Sequence, residues 1–260
     1  MKILVTFAVK AEFSQWSSRH PFVPYEFENW EKRREFDLFK ANIGGDEVTV
    51  LLTGIGGKNA AEAMRTIPVE LHDLCISSGL AGALDAQLRP GDVVVAQTAK
   101  TLDQACEVWS DAALVNFACS CGARAVEALL TSEGIVATAE EKQELSARGS
   151  VVDMETSYVL TAARQRHVPG VAVRAISDVA DEDLPVDFGR IIDSRGRLKP
   201  LGLLKEVGLH PYRIAPLMKF AAQSRAAAGK LADFLDRYIS ELSRTWSLAA
   251  AQQIEEVSAT

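Results

Sequence analysis

This chain has few of the residues that usually carry metal or redox chemistry. Its 260 residues include four cysteines and four histidines. Cys75 lies in an apolar run and reads as a small buried hydrophobe. Cys119-Ser120-Cys121 is too tightly spaced for a zinc pair, Cys106 stands apart, and the histidines at 20, 72, 167 and 210 are scattered. We therefore expect no metal, no organic cofactor and reduced thiols. Basic charge is also missing: the net charge is −7, which gives no support to a nucleic-acid surface. No apolar run reaches the roughly 18 residues of a membrane span. Met1-Lys2 leads straight into a strand pattern rather than a signal peptide, so the cytoplasm is the expected compartment. Internal repeats and long linkers are absent too.

What is present is an α/β pattern. With 48% hydrophobic and 24% charged residues, the composition is that of an ordinary globular protein. We expect one domain over residues 1–246 and a frayed tail over 247–260. Apolar runs at 2–7, 36–43, 47–53, 74–78, 91–97, 133–137, 149–153 and 171–176 read as strands. Helical spacing follows at 8–13, 54–64, 113–130 and 156–166. Near the end, Leu231, Phe234, Leu235, Tyr238 and Leu242 form a helical core stripe. The fold class expected is three-layer α/β: a central mixed, largely parallel twisted β-sheet flanked by helices.

Two carboxylates stand out against this pattern. Glu155 follows the run Val151-Val152-Asp153-Met154, and Asp178 follows Val171 to Ser177. A helix between the two runs implies neighbouring parallel strands with a right-handed crossover. Ligands in open α/β sheets bind beyond the carboxyl ends of strands. Two acids at that edge can grip one small molecule, one holding hydroxyls and the other moving a proton. The plainer reading makes Glu155 a first-turn helix acid and Asp178 a loop or capping residue.

Two glycine-rich segments lie at other strand ends. Gly54-Ile55-Gly56-Gly57-Lys58 is not a Walker A loop, since Asn59 follows the lysine, and it lacks the third glycine of a dinucleotide fingerprint. It reads first as a tight strand-to-helix turn. Ser78-Gly79-Leu80-Ala81-Gly82 could turn backbone N–H groups toward a ligand oxygen.

Together these motifs resemble the nucleoside phosphorylase/nucleosidase superfamily, and within it the methylthioadenosine/S-adenosylhomocysteine nucleosidases. The resemblance runs from Met1 to about Asp181. It is most specific in Val152-Asp153-Met154-Glu155 and in Arg174-Ala175-Ile176-Ser177-Asp178-Val179-Ala180-Asp181, with support from the two glycine segments and from Leu88-Arg89-Pro90-Gly91-Asp92-Val93-Val94. It implies that Glu155 accepts hydrogen bonds from ribose hydroxyls, with Met154 under the sugar. Asp178 is implied as the general acid at the purine ring, supported by Ser177. Glu12 falls where these nucleosidases keep the carboxylate that activates water, although residue patterning alone favours a first-turn helix acid. Val136 and Ala137 match the segment lining the base, and Ser78, Gly79 and Leu80 match a substrate loop. The resemblance further suggests a homodimer whose neighbour completes the 5′ pocket.

The chemistry implied is cleavage of an N-glycosidic bond. An oxocarbenium-like sugar forms, and the leaving purine is stabilised by protonation. That requires an acid still protonated near neutral pH, which burial of a carboxyl can provide. Phosphate as the attacking group would need charge-assisted donors. The family's phosphate-binding serine and arginine positions are Leu80 and Ser77 here, and the 8–13 segment has no arginine. Water is therefore the expected acceptor, with a phosphate-dependent phosphorylase as the alternative and a non-catalytic nucleoside-binding protein as a further one. Leu80 also departs from the nucleosidase pattern, where a serine helps hold the water. The 182–215 stretch departs too and resembles the hopanoid-associated branch, which is linked to removing adenine from an adenosyl-lipid precursor. On that reading Leu184, Val186, Phe188, Leu201, Leu203 and Leu204 face a greasy 5′ group. On the other reading the stretch builds only a lid or a dimer interface.

Overall fold

The computed structural model describes residues 1–26, 36–103, 105–185 and 214–258, with side chains given up to Thr245 in the last segment. The chain starts with a buried strand, β1 (Lys2–Phe7), followed by α1 (Lys10–Ser17). The short strand β2 (Val23–Pro24) precedes the hairpin β3 (Asp37–Ile43) and β4 (Asp46–Leu52), then α2 (Gly57–Thr66). A 3₁₀ turn at Val69–Leu71 leads to β5 (Leu74–Ala83), β6 (Val93–Thr101) and β7 (Glu107–Trp109). Next come α3 (Ala112–Ser120), β8 (Arg124–Thr131), α4 (Ala139–Ser146), β9 (Val151–Asp153), α5 (Thr156–Gln165) and β10 (Gly170–Asp178). The last helix, α6, spans Ile214–Ser258.

The ten strands among the described residues form one sheet, in the order β10-β6-β8-β9-β5-β1-β4-β3-β2, with β7 beside β6. β10 also pairs with β5, so β5, β10, β6, β8 and β9 close into a ring. β5 runs parallel to β1 and β10, while β9 runs antiparallel to β5. The strands before Glu155 and Asp178 are therefore not parallel neighbours, as the sequence suggests. They flank β5 and run in opposite senses.

Alternation of side chains sorts the core into layers. Ile3, Val5 and Phe7 pack with Phe13 and Trp16 of α1, Val115 and Ala118 of α3, and the expected stripe of α6 from Leu231 to Leu242. Leu4 and Cys75 point the other way, onto Ala60, Ala63 and Met64 of α2 and Val159, Ala162 and Ala163 of α5. A third cluster, including Ala81, Val94, Ala96, Leu129, Ala172 and Ile176, fills the closed ring. This is the expected three-layer α/β arrangement, with a sheet that closes on itself at one end.

Two elements correct the sequence reading. Residues 113–130 are not one helix: α3 ends at Ser120, Gly122 takes φ +97°, and the chain turns into β8. Ala, Glu and Leu in Arg124–Thr131 favour helix intrinsically. The slot between β6 and β9 overrides that preference. Residues 133–137, read as a strand, are loop, because β8 already fills that place in the sheet. Among the described residues, no helix is long and apolar enough to cross a membrane.

Candidate active site

The carboxyl-terminal half of β5 is the spine of the site. Residues 78–82, expected to be a loop, continue the strand, and each acid meets this stretch or its neighbours. Glu12 sits in the first turn of α1. Its Oε2 accepts from the N–H groups of Ala8 (3.0 Å) and Val9 (3.3 Å), as a first-turn acid would. Its Oε1 reaches across to accept from Leu80 N–H at 2.9 Å. The glycine before it makes this possible. Gly79 has φ +149°, and a Cβ there would lie 3.1 Å from Glu12 Oε1. Part of Glu12 remains open at the surface, but its carboxylate is largely withdrawn from water. Desolvation raises its pKa, outweighing the Leu80 N–H and the Arg174 charge, which lower it.

Glu155 approaches from the end of β9. The glycine loop after β4 closes over it: Gly56, at φ +93°, donates its N–H to Glu155 Oε1 at 2.6 Å. Met154 lies against the same glycine, its methyl 4.0 Å from a Cβ built there. The loop is thus both a strand-to-helix turn and a clamp on the acid. Desolvation, then the nearby Asp153 charge, pushes the Glu155 pKa up to about 8; Gly56 N–H and Arg174 oppose the rise, and Glu12 adds to it. The sequence reading did not single out Arg174 and Asp153 for any role. They form a buried ion pair at 2.7 Å. Arg174 also donates to Ser77 O, Ser77 Oγ, Val173 O and Thr156 Oγ1, so its N–H groups are taken up by the protein.

Asp178 closes β10 opposite Gly82, where a Cβ would lie 3.1 Å from its Oδ2. Ser177 Oγ is 2.6 Å from Asp178 Oδ1 and 3.2 Å from Ala81 O. On the other side the structure places an ammonium where the sequence argument expected desolvation alone. Lys142 of α4, its side chain fully buried, donates to Asp178 Oδ2 at 2.6 Å. Beside Asp178 opens a cleft of about 470 Å³, lined by Pro90, Val179, Leu184, Pro185 and the start of α6 around Pro216 and Phe220. That volume is in the usual range for small-molecule sites.

Glu12, Glu155, Met154, Gly79, Leu80, Ser177 and Asp178 are therefore brought to one stretch of β5 and its flanks. Leu80 takes part through its backbone, while its side chain packs against the core. Three expected site residues are placed otherwise. Ser78 lies on the face of β5 opposite Ser77, and its buried hydroxyl has no hydrogen-bond partner among the described residues. Val136 lines a second cleft, of about 440 Å³, with Leu102, Ser132 and Tyr158. Ala137 has its N–H taken by Glu141 (2.9 Å), while its carbonyl accepts from Leu184 N–H (2.7 Å). Of the apolar residues assigned to a 5′ group, Leu184 lines the cleft beside Asp178; Val186, Phe188, Leu201, Leu203 and Leu204 lie outside the described residues. Lys142 was also missed. Its only signal is that it is the one cation in the acidic helix Ala139–Ser146.

Comparison with known proteins agrees with this fold. The family model described as the phosphorylase superfamily matches residues 2–198. Among solved structures, the chain is similar to native futalosine hydrolase of Helicobacter pylori, with 18% identity, 93% of this chain and 98% of that one covered, and TM-score 0.69. H. pylori 5′-methylthioadenosine/S-adenosyl homocysteine nucleosidase, complexed with a pyrrolopyrimidine-bearing pyrrolidinol, matches at 19% identity, 93% and 98% coverage and TM-score 0.68. The Neisseria meningitidis 5′-methylthioadenosine/S-adenosylhomocysteine nucleosidase in complex with methylthio-immucillin-A matches at 20%, 92% and 99%, with TM-score 0.67.

Proposed function

The chain belongs to the phosphorylase superfamily, and within it we propose that this protein is a purine nucleosidase that hydrolyses the N-glycosidic bond of a 5′-substituted adenosine to release adenine. The observation that carries this reading is Glu12. A carboxylate with a raised pKa is held against Gly79 and Leu80 by three backbone N–H groups. A carboxylate whose pKa is raised by burial is a stronger base toward water than a free one.

In the proposed mechanism Glu12 takes a proton from water as its oxygen bonds to the anomeric carbon. Glu155, facing the Gly56 loop, holds the ribose hydroxyls, with Met154 beneath the sugar. The bond between the sugar and the purine breaks with its electron pair passing to the ring. Asp178, braced by Ser177, delivers a proton to the purine. General acid catalysis of this kind contributes about 10²–10⁴-fold.

The same geometry disfavours phosphate as the acceptor. A dianion beside Glu12 would be repelled, and the nearby Arg174 is already engaged by Asp153, Ser77, Val173 and Thr156. The solved relatives include proteins named for futalosine and for 5′-methylthioadenosine/S-adenosylhomocysteine. An adenosyl-lipid 5′ group, the choice suggested by the sequence of the 182–215 stretch, is a further possibility for the panel below. The proposal includes a single domain over 1–246, a homodimer and a cytoplasmic site of action.

The test is adenine release, with and without phosphate, from methylthioadenosine, S-adenosylhomocysteine, 5′-deoxyadenosine, adenosine and an adenosyl-lipid analogue. Futalosine, assayed for release of its own base, completes the panel. Base release without phosphate is expected, together with its loss in Glu12→Gln while substrate binding persists. Release only with phosphate would overturn the proposal, and so would full activity in Glu12→Gln.

A further inference from the structure

Lys142 makes a set of contacts that its helix does not require. Its Nζ has three partners: Asp178 Oδ2 at 2.6 Å, Val179 O at 2.7 Å and Glu182 O at 3.0 Å. The two carbonyls can only accept. A lysine ammonium fills all three contacts by donating three N–H bonds, with Asp178 ionised. A neutral amine fills them equally well: its two N–H groups go to the carbonyls, and its lone pair accepts an O–H from protonated Asp178. The proton on the Nζ–Oδ2 axis can therefore sit on either atom without breaking another hydrogen bond. Burying a lysine this completely is costly, and a buried ion pair is weak evidence for a purely stabilising role.

Resting on the nucleosidase reading, we propose that Lys142 is the positioning residue that supplies, through Asp178, the proton taken by the purine. As the glycosidic bond breaks, a ring nitrogen of the purine takes the proton from Asp178. The Nζ proton crosses to Asp178 in the same step, so Asp178 ends as a carboxylate beside a neutral amine that still donates to Val179 O and Glu182 O. After adenine leaves, a solvent proton re-enters through Asp178, which borders the open cleft. Over the cycle Glu12 gains one proton from water and the lysine–aspartate pair loses one, and exchange with solvent restores both.

The experiment compares the full chain with Lys142→Met on two substrates carrying the same 5′ group. One is the preferred purine nucleoside, and the other is the 4-nitrophenyl riboside, whose phenolate departs without a proton. With Lys142→Met, purine release should fall by about 10²-fold or more in kcat with KM little changed, while nitrophenol release is retained. Equal losses on both substrates would mean that Lys142 only holds the structure, and would overturn the proposal. So would undiminished purine release. If Lys142→Met does not fold, Lys142→Gln serves, since its amide still donates to the two carbonyls. A wild-type chain that releases no base from any purine nucleoside would defeat the nucleosidase reading itself, an outcome distinct from a difference between variants.

Discussion

Asp153→Asn tests how the buried ion pair sets both the stability and the electrostatics of the site. Asp153 Oδ2 accepts from Arg174 Nη2 at 2.7 Å and Nε at 3.1 Å, and both side chains are nearly inaccessible to water. Its other contacts, Thr131 Oγ1 and the Thr156 N–H, also require an acceptor. Asparagine removes the charge and turns one oxygen into a donor, leaving a buried guanidinium without its counter-ion. Breaking a buried pair in this way costs about 3–5 kcal/mol. For a domain of this size that corresponds to a fall in Tm of roughly 6–20 °C. Urea unfolding at fixed pH would measure it, with a lower midpoint and unchanged slope. The same change acts on the acids. Asp153 raises the Glu155 pKa, and Arg174 lowers those of both Glu155 and Glu12. Removing the first charge frees the second, so both pKa values move down. The acid limb of kcat/KM should therefore shift to lower pH. A loss of under about 1 kcal/mol would show that Arg174 is not desolvated as the structure implies. An unmoved acid limb would refute the coupling to Glu155.

Three further outcomes follow from single contacts. At Gly57 an added Cβ would lie 2.1 Å from Tyr158 Cε2, so Gly57→Ala should destabilise by about 1–3 kcal/mol in urea melts, and Tyr158→Ala in the same chain should recover part of that loss. At Gly82 an added Cβ would press on Asp178 Oδ2, so Gly82→Ala should lose purine release out of proportion to its change in Tm. Glu155 binds its proton more tightly in the folded than in the unfolded chain, so the folded state is penalised as pH rises from about 4.5 toward 8. Glu155→Gln removes that penalty, and its Tm advantage over wild type should grow across this window. A constant difference from pH 5 to 8 would show that Glu155 is not desolvated.

The parts of this molecule legible in the sequence are those where local pattern and tertiary setting agree. β1, the β3–β4 hairpin and α5 carry apolar runs or spacings that each match one structure only, and they appear where expected. The α6 stripe from Leu231 to Leu242 is likewise buried as its spacing demands. β8 fails because its Ala, Glu and Leu prefer helix, and only pairing with two other strands makes it extended. Gly122 at φ +97° was the local signal that α3 had to end. The site divides along the same line. Glu12, Glu155 and Asp178 can be picked out because acids after apolar runs are conspicuous, and the family resemblance adds their roles. What cannot be read is which groups neutralise them. Arg174 sits inside an apolar strand and Lys142 inside an acidic helix, and each looks ordinary in its own segment. Their significance comes from closure of the ring, which brings β10 and β9 to opposite sides of β5. That closure sets Arg174 against Asp153 and leaves Asp178 facing α4. Three acids gathered around one strand would repel one another strongly if all were ionised and unpaired. The two buried cations make the arrangement tenable, and the Lys142 ion pair leaves one of the acids a proton to share.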